Sequence, residues 1–372
     1  MRYLFLINTP AQAHLYRNAV SALSDRGHEV EVFARDYGCT LDLLEWYEIP
    51  YDVYGRCDTS KGSLFRQLPE HYGRIFWKAV RYNPDFVFGT GGYAAHTGFL
   101  TRAKTVLIHD SEVSTLDLSV SRPFADAILS PDSFRTNLGE NHYFFRGFKE
   151  SAYLHPDVFE RDGRVRAELG LGPDERFVLL RFNAFGTHHD VGKTGFTPDQ
   201  RRALVERLSE RAAVFVSDEA ESMHFDALPA EPFDVPPALM HDALAEASLL
   251  VADTQTIVTE AALLGTPAVR SNSFVGEEDM GNFHELERAG LIRNVERFDG
   301  VIETTTELLS DETTETRWRR RRDEYLEDMV NLTGVVLEIA ENGGQADRVP
   351  ALKHWQDGDG GVEFGSQPPE AV

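Results

Sequence analysis

Short runs of apolar residues alternate along the chain with longer segments in which apolar residues recur every three or four positions. The short runs, such as YLFLI and FVLLRF, have the length and continuous apolarity of strands buried on both faces of a parallel sheet. The longer segments are typical of amphipathic helices that pack on such a sheet. The alternation therefore predicts an α/β fold with right-handed connections between parallel strands.

The alternation occurs in two series, separated by a polar segment with several prolines and glycines. The first series predicts strands at residues 3–7, 29–34, 51–54, 85–89, 105–109 and 127–130. The second predicts strands at residues 177–182, 213–217, 248–252 and 268–271. A chain of 372 residues is long enough for two domains. The predicted boundaries are an N-terminal Rossmann-like domain at 1–150, a linker at 151–172, a C-terminal Rossmann-like domain at 173–312, a terminal helix at 313–341 and a disordered acidic tail at 342–372.

The charge balance narrows the classes of partner. The formal net charge is -24, and lysines are scarce among the basic residues. An acidic surface of this kind repels nucleic acid and keeps a protein soluble in concentrated salt, so we expect no nucleic-acid partner and a halophilic source. The two cysteines are too few for a disulfide framework, and no apolar run approaches the length of a membrane span. A cytoplasmic location fits both observations.

The segment LLVADTQTIVTEAALLGTPAVR, residues 249–270, is the strongest candidate for a binding element. Asp253 or Thr254 caps a predicted helix whose free N–H groups and positive dipole end suit a diphosphate. Thr256 and Glu260 are four positions apart and share one helix face, so the carboxylate is placed to accept from ribose hydroxyls. Because the helix is very apolar, we expect Glu260 to be partly enclosed and to have a partner. The alternative is an ordinary capped helix with a solvated glutamate.

This segment resembles the nucleotide-binding strand–helix–strand of GT-B glycosyltransferases and of non-hydrolysing UDP-N-acetylglucosamine 2-epimerases. A second stretch, NPDFVFGTGGYAAHTGF, resembles the Gly-Gly-Tyr turn of the glucosaminyltransferase that completes the lipid-linked peptidoglycan precursor. That resemblance implies an acceptor site at Gly91, Gly92 and Tyr93. The alternative is a tight strand-to-helix turn without a ligand.

Candidate acid/base residues follow two predicted strands of the first series. Asp110 and Glu112 come after the strand that ends in His109, at the sheet edge where open α/β sheets bind ligands. His14 stands where GT-B enzymes often carry a catalytic histidine, and its ordinary pKa lies close to neutral. The alternatives are loop carboxylates in an acidic protein and a packing histidine at a helix start.

Basic and polar residues near the start of the second series complete the predicted nucleotide site. Arg181 ends a strand, and Gly186 and His188 follow in a loop. An arginine at this place can neutralise a diphosphate through paired hydrogen bonds. Adjacent histidines in one loop, without a distant third ligand, are weak evidence for a metal, so we predict no metal site and no cofactor beyond the nucleotide-sugar substrate.

Taken whole, residues 1 to about 335 resemble a mainly archaeal family catalogued as domain of unknown function 354. The stretches that carry this resemblance are RPFADAILSPDSF, GFKESAYLHPDVF and EAALLGTPAVRSNSFVG. It implies a GT-B-like architecture, with the parallel sheets of two Rossmann-like domains facing across a cleft, and no established reaction.

The run Arg317–Arg322 stands out in an acidic chain and permits two interpretations. The first is salt bridging with Asp323, Glu324 and Glu327. The second is contact with the inner face of an anionic membrane, which would serve a lipid-linked acceptor.

The sequence thus predicts a metal-independent glycosyltransferase that moves a sugar from a nucleotide donor, UDP-linked by resemblance, to a hydroxyl on a lipid-linked or glycan acceptor. Two alternatives stay open. One is a UDP-sugar 2-epimerase, because Asp110, Glu112 and His188 are several acid/base candidates in one protein. The other is a non-catalytic nucleotide-sugar-binding protein, since a fold does not fix a function.

Overall fold

The computed structural model describes residues 1–56, 61–112, 115–183, 194–220, 222–276 and 279–355, with only the backbone described at residues 61–65 and 115. The strands are β1 (Arg2–Ile7), β2 (Glu29–Asp36), β3 (Asp52–Arg56), β4 (Phe86–Gly89), β5 (Lys104–Ile108), β6 (Ala127–Pro131), β7 (His142–Phe145), β8 (Phe177–Phe182), β9 (Ala213–Asp218), β10 (Glu231–Pro232), β11 (Leu249–Ala252), β12 (Ala268–Arg270), β13 (Ile292–Asn294) and β14 (Leu352–His354). The helices are α1 (Pro10–Asp25), α2 (Thr40–Trp46), α3 (Lys61–Tyr82), α4 (Gly91–Thr101), α5 (Thr115–Ser121), α6 (Ser151–Leu154), α7 (Val165–Glu168), α8 (Pro198–Ser209), α9 (Met240–Glu246), α10 (Thr256–Leu264), α11 (Gly281–Arg288), α12 (Phe298–Ser310), α13 (Thr314–Leu326) and α14 (Leu332–Glu341).

The described residues form two compact units. Unit 1 contains Met1–Arg56, Gln67–Ala152 and residues 328–355, and unit 2 contains Tyr153–Glu327 with residues 61–66. Within the described residues, no helix combines the length and apolarity that crossing a bilayer requires.

Unit 1 is built on one mostly parallel sheet. In its described part the strand order is β14-β7-β6-β5-β4-β1-β2-β3, and only β14 is antiparallel to its neighbour. The central strand β1 is fully buried from Tyr3 to Ile7, as expected for a strand covered by helices on both faces. This arrangement confirms the α/β prediction for the first series.

Unit 2 contains a second parallel sheet, with the order β10-β9-β8-β11-β12-β13 in its described part. The apolar runs that predicted its strands are buried, including all of Leu249–Ala252. Helix α8 begins with a capping box between Thr197 and Gln200, and α10 ends at Gly265, whose φ of 77° lies in the left-handed region that glycine tolerates best. The predicted pair of parallel sheets is therefore present.

The prediction of a single terminal helix at 313–341 is wrong. The structure has two helices there, α13 and α14, and their boundary falls between the two units. Asn331 starts the second helix, because its side chain accepts a hydrogen bond from the Gly334 amide at 3.3 Å.

The prediction of a disordered tail from residue 342 is wrong for its first part. Residues 342–355 are described, and Leu352–His354 adds an antiparallel edge strand to the unit 1 sheet, with Leu352 opposite Phe145. The polar composition of the segment gives no local sign of this pairing, because its partner strand lies more than 200 positions earlier.

Further elements that were not predicted include β7, β10, β13, α5, α6 and α12. The three strands have two to four residues, too short for a clear pattern. Unpredicted β7 matters most, because it precedes two residues of the candidate site.

The arginine run has partners within unit 2. Trp318 is fully buried and donates through Nε1 to the Leu291 carbonyl at 2.7 Å. Arg320 and Arg322 pair with Glu324 and Asp323 at 3.5 Å and 2.7 Å. These contacts support the salt-bridging interpretation of the run, and its contact with a membrane stays a prediction.

Candidate functional site

The turn between β11 and α10 is the centre of the candidate nucleotide site in unit 2. Asp253, Thr254 and Gln255 connect the buried strand to the helix. No side-chain hydrogen bond caps the helix at Gln255. The first N–H groups and the positive end of the helix dipole are therefore oriented for an anion.

Thr254 is the unusual residue of this turn. The residue is 8% exposed, and its Oγ1 has no hydrogen-bond partner among the described residues. Leaving a buried hydroxyl unpaired costs about 1–3 kcal/mol, so native proteins rarely do so without a reason. A ligand oxygen at the start of α10 would supply the missing partner.

Asp253 was predicted as a possible cap of α10, but its side chain contacts neighbouring loops. Its carboxylate accepts from the backbone amides of Asn183 and Phe196 at 2.7 Å and 3.0 Å, and its carbonyl accepts from the Asn272 side chain at 3.0 Å. Burial raises its pKa to about 6, although the two amides act in the opposite direction. Asp253 therefore ties the β11–α10 turn to neighbouring loops and does not present a free carboxylate.

Glu260 lies one turn into α10 and is enclosed as its apolar surroundings predicted. Its side chain is 9% exposed. Its Oε1 accepts from the Tyr153 hydroxyl at 2.8 Å and lies 3.1 Å from His241 Nε2. These two contacts fix the orientation of the carboxylate.

Arg181 is the penultimate residue of β8 and pairs with Ala252 of β11, so it lies next to the turn. Its guanidinium donates to Ser217 Oγ and to the carboxylate of Glu219. The arginine is thus partly neutralised by the protein. The other predicted members, Gly186 and His188, lie outside the described residues.

In unit 1, the glycine turn before α4 is filled by a carboxylate of the same chain. Gly91 has a φ of 71°, and a Cβ there would stand 2.2 Å from an oxygen of Asp117. Asp117 also accepts from the Gly92 amide at 3.1 Å. Tyr93 is 9% exposed, and its hydroxyl lies 2.9 Å from His71 Nδ1. The predicted acceptor residues therefore form a capped, packed turn in this structure.

A cluster of three charged residues stands at the carboxyl end of the unit 1 sheet. Lys149 Nζ lies 2.5 Å from Asp110 Oδ2 and 3.7 Å from Glu150 Oε1, and the Glu150 side chain is 5% exposed. Asp110 follows β5, while Lys149 and Glu150 follow β7. Burial acts to raise the pKa of Asp110, but the ammonium of Lys149 outweighs it and holds that pKa below its ordinary value.

The other two predicted acid/base residues have local roles in the structure. Glu112 Oε1 accepts from the Arg135 amide at 2.6 Å. His14 is 7% exposed, and its Nδ1 lies 3.2 Å from the Tyr47 hydroxyl. Their catalytic assignment stays a prediction.

No family model matches the chain. No curated protein matches it either. The resemblance to domain of unknown function 354, and the archaeal and halophilic source inferred beside it, therefore stay predictions.

Solved structures share its fold at low sequence identity. UDP-GlcNAc 2-epimerase from Neisseria meningitidis, bound to UDP-GlcNAc, is 13% identical, with a TM-score of 0.64 over 92% of this chain and 100% of that one. Spinosyn forosaminyltransferase SpnP is 14% identical, with a TM-score of 0.63 over 93% of this chain and 100% of that one. Glycosyltransferase SsfS6 from Streptomyces sp. SF2575, complexed with thymidine diphosphate, is 15% identical, with a TM-score of 0.58 over 91% and 99%. The chain thus has the α/β fold of both enzyme classes.

The structure groups the predicted residues into two sets. In unit 2, Asp253, Thr254, Thr256 and Glu260 lie on one turn and its helix, with Arg181 on the adjoining strand. In unit 1, Asp110 joins Lys149 and Glu150, which sequence reasoning missed. The sequence feature that could have revealed them is the stretch GFKESAYLHPDVF, in which Lys149 and Glu150 come shortly after the unpredicted strand β7. Among the described residues, no group of three or more His, Cys, Asp or Glu side chains is arranged to hold a metal ion.

Proposed function

We propose that the chain is an enzyme that binds a nucleoside-diphosphate sugar through unit 2 and transfers the sugar to a hydroxyl acceptor. The observation that carries this proposal is the buried Thr254 hydroxyl, which has no partner among the described residues and lies beside the start of α10, where no side chain caps the helix. A diphosphate needs donors and positive potential, and this turn offers both. The fold shared with enzymes of nucleotide sugars supports the choice of ligand.

Glu260 completes the nucleotide site in this proposal. A ribose diol donates two hydrogen bonds, and an enclosed carboxylate is its natural acceptor. Tyr153 and His241 both contact one carboxylate oxygen, so the orientation in which Glu260 meets the ribose is fixed by the protein. Arg181 stands beside the turn and adds positive charge near the phosphates, shared with Glu219.

The charged cluster of unit 1 contains the candidate base for the proposed reaction. In the transfer, the bond between the anomeric carbon and the diphosphate oxygen breaks, the acceptor oxygen bonds to that carbon, and its proton passes to a general base, for which Asp110 is the candidate. Lys149 keeps Asp110 ionised, and so ready to accept that proton, near neutral pH. The charge that develops on the leaving diphosphate is taken up by the α10 amides and the Thr254 hydroxyl, so we propose a metal-independent transfer.

A 2-epimerase is the second candidate, and the same cluster favours it. Epimerisation removes a proton from one face of a carbon and returns one to the other face, so it needs more than one acid/base group. Asp110, Lys149 and Glu150 are such a group. Structural similarity does not separate the two classes, since the TM-score is 0.64 for the epimerase from Neisseria meningitidis and 0.63 for the transferase SpnP.

The deciding experiment follows UDP-GlcNAc by proton NMR, first alone and then with a hydroxyl acceptor pool such as extracted lipid-linked or free glycans. A transferase leaves the configuration at C2 intact and releases UDP only with an acceptor. An epimerase produces the C2 epimer without one. If UDP and thymidine diphosphate sugars all fail to bind by calorimetry, the proposed function is refuted, whereas binding without turnover supports a non-catalytic binding protein.

A further inference from the structure

Exposed apolar side chains are concentrated on one part of unit 1. Among the described residues, large hydrophobic side chains with high exposure include Trp77 at 62%, Phe99 at 68% and Leu116 at 68%. Val80, Leu100 and Val120 are also exposed, at 56%, 46% and 41%. All six lie on α3, α4 and α5. Soluble proteins seldom leave so many large apolar groups together in water without a partner.

One histidine fixes these three helices side by side. The Tyr72 hydroxyl of α3 donates to His96 Nδ1 at 2.8 Å, and His96 Nε2 of α4 donates to the Val120 carbonyl of α5 at 3.0 Å. Phe99 and Leu100 follow His96 by three and four positions and so share its helix face, and Leu116 and Val120 share a face of α5 at a spacing of four. Phe124 adds an aromatic contact with Phe99, at 4.9 Å between ring centroids.

The charge of this surface is opposite to that of the chain. Residues 67–82, 91–104 and 115–126 contain six basic residues and three acidic residues, a balance of +3, whereas the whole chain carries -24. Arg81 lies over the exposed Trp77 ring at 4.9 Å, and exposed Arg102 ends α4. An aromatic ring with a neighbouring arginine is the combination that favours the interface of an anionic bilayer.

A groove continues the same surface. It has a volume of about 620 Å³, apolar walls that include Phe99, Leu100 and Phe124, and two basic residues, Arg102 and Lys104. Lys104 is paired with Asp126 at 2.9 Å, which leaves Arg102 as the stronger attraction for an anion. Apolar walls with a cationic rim match the boundary between lipid acyl chains and phosphate headgroups.

We propose that this surface, formed by the exposed residues of α3, α4 and α5, binds peripherally to an anionic lipid bilayer. The acidic remainder of the chain is repelled by such a bilayer, so only this face approaches it. The inference does not depend on the proposed function. It assigns membrane contact to unit 1 and not to the arginine run of α13, whose members have partners in unit 2.

The test is flotation of the full chain with vesicles of phosphatidylglycerol and phosphatidylcholine, compared with vesicles of phosphatidylcholine alone. We expect binding to the anionic vesicles and at least about tenfold weaker partitioning for the double variant Phe99→Ser/Leu116→Ser. The charge variant Arg81→Glu/Arg102→Glu is expected to lose binding similarly. Val53→Ser and Arg297→Glu are matched controls, because both side chains are exposed elsewhere and should leave binding unchanged.

Tryptophan fluorescence gives an independent readout. In a Trp46→Phe background, the emission of exposed Trp77 should shift to shorter wavelength when anionic vesicles are added. Wild-type protein that stays unbound, equal binding to both vesicle types, or unchanged binding of the Phe99→Ser/Leu116→Ser variant would each overturn the proposal. A wild-type dimer that this variant dissociates, without vesicle binding, would instead assign the surface to a second copy of the chain. Circular dichroism and unfolding midpoints establish that the surface variants remain folded.

Discussion

Replacing Thr254 by valine should stabilise the free protein and weaken nucleotide binding at the same time. Valine keeps the shape of threonine and removes the hydroxyl. That hydroxyl is buried without a partner among the described residues, so its removal deletes a desolvation penalty and breaks no hydrogen bond to any of them. The penalty is about 1–3 kcal/mol for a group of this kind. At the lower end, the melting temperature of the free protein should rise by about 2–4 °C.

The same substitution is expected to have the opposite effect on nucleotide binding, which should become weaker. If the hydroxyl donates to a phosphate oxygen, its loss removes a charge-assisted hydrogen bond worth about 1.5–3 kcal/mol. The dissociation constant for UDP should then increase about 10- to 150-fold. Calorimetric titration measures the affinity, and differential scanning calorimetry without ligand measures the stability.

Thr305→Val is the matched control. Thr305 is buried in α12 of the same unit, but its hydroxyl donates to the Val301 carbonyl at 2.8 Å. This variant should not gain stability and should bind UDP like the wild type. A lower melting temperature for Thr254→Val in the absence of ligand would refute the claim that its hydroxyl is unpaired. Unchanged UDP affinity would refute its role in binding.

Four further predictions follow from the same sites. Glu260→Gln should weaken UDP binding about tenfold, as measured by calorimetry, because the substitution removes a contact to the ribose hydroxyls. Wild type and variant should bind 2′,3′-dideoxyuridine diphosphate equally, since that ligand lacks both hydroxyls. Equal weakening for both ligands would contradict this prediction. Lys149→Met should remove the charge that holds the Asp110 pKa down, so the acid limb of the kcat/KM profile should move to higher pH, while Lys149→Arg should restore the wild-type limb. The pKa of Asp253 is raised to about 6 from an ordinary 3.8, so between these values the folded state holds a proton that the unfolded state releases. The contribution of this residue to the free energy of unfolding should therefore fall as pH rises from about 4 to 6. Urea unfolding of Asp253→Asn should show a weaker dependence of that free energy on pH, and the same dependence as in the wild type would count against the argument. The net charge of -24 predicts a melting temperature that increases from low to multimolar KCl, and a flat series would remove the halophilic interpretation.

The sequence was informative wherever a local pattern decided the structure. The run Leu249–Ala252 is apolar because both faces of the sheet are covered, and Gly265 marks the end of α10 because only glycine adopts its φ without strain. The enclosure of Glu260 also followed from its apolar neighbours along the helix. These features depend on residues within a few positions of one another.

The features that escaped prediction depend on distant partners. Asp117 caps the α4 turn from 25 positions away, which no spacing rule reveals. Lys149 meets Asp110 across a separation of 39 positions, and the short strand β7 that places it was itself missed. The prediction of Asp253 as a cap of α10 relied on its position in the turn, whereas its carboxylate accepts from the amides of Asn183 and Phe196. Long-range contacts thus determined which of the polar residues were available for chemistry.

The central claim is that the start of α10 holds the diphosphate of a nucleotide, and hydrogen–deuterium exchange tests it most directly. The chain is labelled with and without saturating UDP, and peptides covering residues 249–264 are compared with those of α12 as a reference. We expect slower exchange at the amides of residues 254–258 when UDP is bound, and unchanged exchange in α12. Binding of UDP that leaves these amides unprotected, and instead protects another segment, would contradict it.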